Sequence, residues 1–199
     1  MERQPCDLVI LGLSPQQPAE SSLLAERLLR VGDYHLLLVP GTTAVPTKAL
    51  VGVSGGEPSK EDVLFAGRFL RHLGAEATLL SVLPSAAAAG PYRDRAVRFL
   101  LDGVRTLEVL GVRAEMAVRA GSPGQEILEQ LQAGGHDLLV LGAPLADRDG
   151  RRPSSGVVSY VLGKATAQPV LIVRSKYATS PVRLSANEGR IQVIEEMTA

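Results

Sequence analysis

Two stretches of the chain combine small residues with hydroxyls in a way that suits an anion. Ser54-Gly55-Gly56-Glu57-Pro58-Ser59 follows a short apolar run. A glycine-rich turn from strand to helix lets main-chain N–H groups approach a phosphate, although Pro58 takes away one amide donor. Gly142 ends a second apolar run, and Ser154-Ser155-Gly156 precedes a further helical stretch. Arg148, Arg151 and Arg152 lie between them, where they either pair with phosphate or stand in water as part of an ordinary polar loop.

Nothing else in the chain makes a catalytic set. His35, His72 and His136 fall at a strand start, a helix end and a turn, the places where a histidine serves as a satisfied boundary residue. A G-x-S-x-G nucleophile elbow is absent. Ser59 and Ser122 sit where helix caps are expected, and Asp7 and Asp137 precede apolar strands as turn residues. Cys6 has no electropositive neighbour to activate it and reads as a small boundary hydrophobe. The chain is therefore expected not to be an enzyme and to hold no metal.

Composition narrows the partners. Lys+Arg and Asp+Glu each total 21 among 199 residues, so the net charge is zero. That balance argues against nucleic acid, which asks for a basic face, and against an anionic membrane surface. A single cysteine excludes an internal disulfide and fits a reducing, cytoplasmic setting. The first residues lack the basic segment of a signal peptide, and no run reaches the ~18 apolar residues of a membrane span.

The elements that must position these residues alternate from Lys48 onward. Apolar strands are expected at Ala49 to Val53, Ala77 to Val82, Asp137 to Gly142 and Val170 to Val173. Ala114, Met116 and Val118 alternate with charged residues, the pattern of a half-exposed edge strand. Between them run helices. The first opens on a capping box of Ser59 and Asp62, the second carries Ala96, Phe99, Leu100, Val104 and Leu107 on one face, and the third opens on Ser122, Pro123 and Gln125. The last spans about Ser155 to Lys164. Five strands and four helices imply an α/β fold, a doubly wound parallel sheet in the order 3-2-1-4-5. Ligands of such a sheet bind at the carboxyl ends of strands one and four, at Ser54-Gly55-Gly56 and Gly142.

An internal repeat precedes this unit. DLVILG at Asp7 to Gly12 matches DLLVLG at Asp137 to Gly142, and HLLLVP at His35 to Pro40 matches PVLIVR at Pro169 to Arg174. Ser21-Ser22 stands between the first pair as Ser154-Ser155 does between the second. Residues 1–40 are thus read as the closing strand–helix–strand of a second domain, 41–47 as linker, 48–174 as a complete domain and 175–199 as a polar tail. Ile191, Val193 and Ile194 are a candidate docking strand within that tail.

Residues 48–174 resemble the universal stress protein family in layout. The pieces that carry the likeness are KALVGVSGGEPSKED, HLGAEATLLSVLP, VRAGSPGQEILEQ, DLLVLG and SYVLGKATAQPVLIV. The resemblance implies a Rossmann-like, adenine-nucleotide-hydrolase-like sandwich, dimerisation through the last strand and, in one subgroup, bound ATP or AMP. That subgroup has an Asp at the end of strand one and a Gly-x2-Gly-x9-Gly-[Ser/Thr] run after strand four. Here Ser54 stands for the Asp, Gly142 begins the run, Leu145 replaces its second glycine, and Ser155-Gly156 transposes its close. The implied nucleotide-facing positions also include Gly55, Val82 and Ser154. Leu145 brings bulk where main chain would approach ligand, and Ser54 lacks the carboxylate.

A second likeness is local. Ser54 to Ser59 resembles the SGGxDS pyrophosphate loop of the N-type ATP pyrophosphatases, with Pro58 in place of the Asp. Taken together, the residues imply a regulatory protein of stress physiology with a degenerate adenine-nucleotide site. It would act through a homodimer or pseudo-dimer at Val170 to Val173, or through a protein partner. The alternatives are a true ATP-binding stress protein and, behind it, a pyrophosphatase-like enzyme. His35 to Val39 is a candidate to occupy the last-strand edge from within the same chain.

Overall fold

The two most continuously apolar strands lie side by side at the centre. The computed structural model describes residues 7–13, 18–41, 44–54, 57–85, 90–144, 156–164 and 167–175. In it β3 (Lys48–Gly52) pairs in parallel with β6 (Leu138–Pro144), and Ala49–Val51 and Leu138–Leu141 are buried on both faces. Strands covered on both sides need apolar residues at every position, which is why these runs do not alternate. β4 (Glu76–Leu83) follows β3, and β5 (Ala114–Ala120) forms the edge its alternating pattern foretold. β7 (Val170–Ser175) pairs in parallel with β6.

The amino-terminal segment supplies β1 (Leu8–Leu13), helix α1 (Pro18–Val31) and β2 (His35–Pro40). β1 and β2 are parallel to each other, and β2 runs antiparallel to β7 with Leu37 opposite Leu171. The full order is β1-β2-β7-β6-β3-β4-β5. Among the described residues the sheet therefore has seven strands rather than the expected five, two of them added beyond β7. The edge that β7 would offer to another chain is filled by β2.

Helices α2 (Glu57–Leu73) and α3 (Pro91–Val109) cover one face through Val63, Ala66, Leu70, Leu100 and Leu107, which pack on Val51, Leu79, Val140 and Leu171. Helices α4 (Pro123–Ala133) and α5 (Val157–Gly163), with α1, cover the other through Ile127, Leu131, Val161, Leu162, Ala25 and Leu29. Burying a leucine of this kind contributes about 1.5–3 kcal/mol, so both faces hold the sheet. Gly103 of α3 permits the close approach to β4, because a Cβ there would lie 2.7 Å from Leu79 Cδ1.

Both capping boxes of the sequence reading fail. α2 begins at Glu57, so Ser59 lies inside the helix rather than at its cap, and the Asp62 carboxyl goes elsewhere. Pro58 is compatible with a first turn, where its missing N–H would have no helical partner. Ser122 is the N-cap residue of α4 but makes no side-chain cap bond, and Gln125 Nε2 donates instead to Glu129 Oε1, 2.9 Å away. Asp137 does serve as a turn residue. It accepts the N–H groups of Thr47 (2.9 Å) and Lys48 (2.7 Å) and the Thr47 hydroxyl (2.9 Å), tying the starts of β3 and β6 together. Burial alone would raise its pKa, but these donors outweigh it and hold the carboxyl below its ordinary range.

Candidate functional site

The carboxyl ends of β4, β3 and β6 bring three of the expected residues to one rim. Gly52 pairs with Leu80 on one side and Leu141 on the other. Carrying that register forward sets Ser54 level with Val82 and Val53 level with Gly142. Ser54 is exposed, while Val82 and Gly142 are half-buried. Alternation along the strands turns Ser54 and Val82 toward the α4 side and the bare face of Gly142 toward α2. Gly156 is the N-cap of α5 at φ 133°, a conformation that L side chains rarely adopt. Gly55, Leu145, Ser154 and Ser155 lie outside the described residues, as do Arg148, Arg151, Arg152, Cys6 and the tail with Ile191, Val193 and Ile194.

The space that Gly142 leaves is not empty. It holds the carboxyl of Asp62 from α2: a Cβ added at Gly142 would collide with Asp62 Oδ2 and lie 2.8 Å from its Cγ. Asp62 is only 5% exposed, and its Oδ1 is buried with no hydrogen-bond partner among the described residues. Burial first, and the neighbouring Glu61 second, push its pKa up to about 7. The sequence carried a signal for this arrangement, because Asp62 falls four residues before Ala66 and eight before Leu70 on the apolar stripe of α2. An acidic residue in such a stripe is buried or ends the stripe, and here it is buried.

The cleared space at Gly142 thus opens toward α2, on the face opposite Ser54 and Val82, and the Asp62 carboxyl lies in it. Ser54 supplies a hydroxyl at the strand end but no carboxylate.

The histidines are accounted for within the fold. His136 is buried, donates from Nδ1 to Gln130 O (3.2 Å) and accepts the Thr78 hydroxyl at Nε2 (3.0 Å). Desolvation is the first cause that holds its pKa below 6.5. His72 donates to the Arg68 carbonyl at 2.7 Å. His35 stacks on Phe65 of α2 with ring centroids 3.7 Å apart, and its Nδ1 accepts the Arg174 main-chain N–H at 2.9 Å. Among the described residues no group of three His, Cys, Asp or Glu is arranged to hold a metal, and no helix is long and apolar enough to cross a membrane.

A polar cleft of about 490 Å³ lies at the opposite, amino ends of the strands, against Lys48, Arg71, Glu76 and Arg113. Two of its cations are engaged within the fold. Lys48 Nζ donates to Gly134 O at 3.0 Å, and Arg113 lies 3.5 Å from Glu76. It shares no residue with the rim at Ser54 and Gly142.

Comparison with known proteins places this architecture. The model of the universal stress protein family matches residues 47–174, more than half of the chain. A universal stress protein solved in complex with cAMP is 21% identical at a TM-score of 0.54, over 67% of this chain and 100% of that one. The universal stress protein from Archaeoglobus fulgidus in complex with dAMP is 17% identical at 0.51, over 67% and 100%. Another, from Archaeoglobus fulgidus DSM 4304, is 13% identical at 0.61 and covers 85% of this chain but only 61% of its own length is matched. Likeness at these identities shows the fold. No curated protein sequence matches the chain significantly. By its family match over residues 47–174 and by its fold, the chain belongs to the universal stress protein family.

Proposed function

We propose that this is a non-catalytic, cytoplasmic regulatory protein of stress physiology that acts through a protein partner and binds ATP or AMP weakly or not at all. The observation that carries the reading is the Asp62 carboxyl in the space beside Gly142. It makes the one retained glycine of the nucleotide run a packing contact on its α2 side, so that its bare face is not open to a ligand there. Ser54 without a carboxylate and Leu145 in the second glycine position point the same way.

In the same reading, β1–α1–β2 is the closing unit of a second domain. It repeats β6–α5–β7 as a parallel pair with its helix on the same face of the sheet. The antiparallel β2–β7 contact then makes a pseudo-dimer within one chain. A homodimer would have to use another surface. The likeness that extends over 85% of this chain supports the division.

A second reading is a true nucleotide-binding stress protein. It is favoured by the meeting of Ser54, Val82 and Gly142 at one rim and by relatives solved with cAMP and dAMP. Calorimetric titration with AMP and ATP separates the two: saturable micromolar binding belongs to the second reading, its absence to the first.

A further inference from the structure

We propose that Asp62 is the proton-binding residue of a switch at the carboxyl ends of β3 and β6: neutral, it seats beneath Gly142 and closes α2 onto the rim, and ionised, it drives that contact open. Asp62 is 5% exposed, its Oδ1 is buried without a hydrogen-bond partner among the described residues, and its carboxyl occupies space that a Cβ at residue 142 would fill. A buried carboxylate without donors is costly, whereas the neutral acid is tolerated far better.

Among the described residues of the strands beside it and its neighbour on α2, little is placed to hold the charge. Glu61, next to it on α2, repels it. β6 carries no ionisable residue from Leu138 to Pro144, and β3 has only Lys48, at the far end of the strand. β7 contributes Arg174, which alternation turns to the opposite face from Val173, and β2 contributes His35, whose ring lies on Phe65. The carboxyl accordingly titrates near neutrality, with a pKa of about 7.

Direction follows from linkage. The opened state has an ordinary aspartate, and the closed state a raised one. Closure is therefore strongest below about pH 4 and weakens as pH rises toward 7, by up to tenfold per pH unit, then levels off. Acidification closes the rim. That this rim is where the family's ligands sit rests on the proposed function; the switch itself needs no ligand.

Hydrogen exchange of the full chain from pH 5 to pH 8, each rate divided by its intrinsic value, tests it. In the wild type, amides of residues 60–66 and 139–143 should lose protection as pH rises to about 7, by roughly tenfold or more in total. Asp62→Asn, which mimics the neutral acid, should hold its protection across the range. Gly142→Ala, which denies the carboxyl its seat, should show low protection already at pH 5. Parallel profiles for wild type and Asp62→Asn overturn the switch, and so does wild-type protection in Gly142→Ala at pH 5. Either result can be had whether or not a nucleotide binds.

Discussion

The main-chain N–H of Arg174 in β7 donates to Nδ1 of His35 in β2, 2.9 Å away, fastening the amino-terminal unit to the last strand of the larger one. An imidazole that accepts at Nδ1 must be neutral there, so its protonation breaks the bond. Burial, partly offset by Asp7 and reinforced by Arg174, holds the His35 pKa below 6.5. The depressed value means that this contact stabilises fully above about pH 6.5 and is lost as pH falls. His35→Phe keeps the ring on Phe65 but removes the acceptor. It is expected to cost about 1–3 kcal/mol and to flatten the acid side of the stability profile, as read by urea denaturation between pH 5 and pH 7.5.

Asp62 has the opposite pH dependence, and its effect on global stability is separable. Its ionisation is disfavoured in the fold, so the wild type loses stability between about pH 4 and pH 7. Asp62→Asn is expected to be more stable than the wild type at pH 7.5, by an amount on the order of 2–4 kcal/mol, with the gap narrowing toward pH 5. A variant that is less stable at both pH values would contradict the buried, unpartnered placement.

Asp137 is expected to matter for stability rather than for ligands. Asp137→Ala leaves the Thr47 and Lys48 amides without their acceptor and should cost about 1–3 kcal/mol. Because the folded carboxyl has a lowered pKa, the difference should shrink as pH drops below about 4. Chemical denaturation at pH 3.5 and pH 7 checks both statements.

Gly103→Ala places a Cβ 2.7 Å from Leu79 Cδ1, at a buried helix–sheet contact. Overpacking of this kind costs roughly 1–3 kcal/mol, more than the alanine gains in helix propensity. A lowered melting temperature is the expected result.

The layout of the sheet was legible because each strand is a short apolar run bounded by turn residues, and because β5 alternates where its neighbours do not. The strand–helix–strand over Leu8 to Pro40 was legible for the same reason, although no local pattern decides which strand lies beside which. Whether His35 to Val39 would cap β7 had to be left open, since strand pairing is a property of the packed sheet. The capping boxes misled because spacing alone does not locate a helix start, and Pro58 permits α2 to begin at Glu57. Asp62 was then read by its distance from Ser59 rather than by its place on the apolar stripe. Nothing in the residues around Gly142 signals that Asp62, on another element eighty positions earlier in the chain, packs against its bare face.

Calorimetric titration of the full chain with AMP and ATP, with and without magnesium, decides whether the rim at Ser54 and Gly142 takes a nucleotide. No saturable heat is expected up to about 1 mM of either nucleotide. Saturable binding at micromolar concentrations would contradict it and make this chain a nucleotide-regulated member of its family.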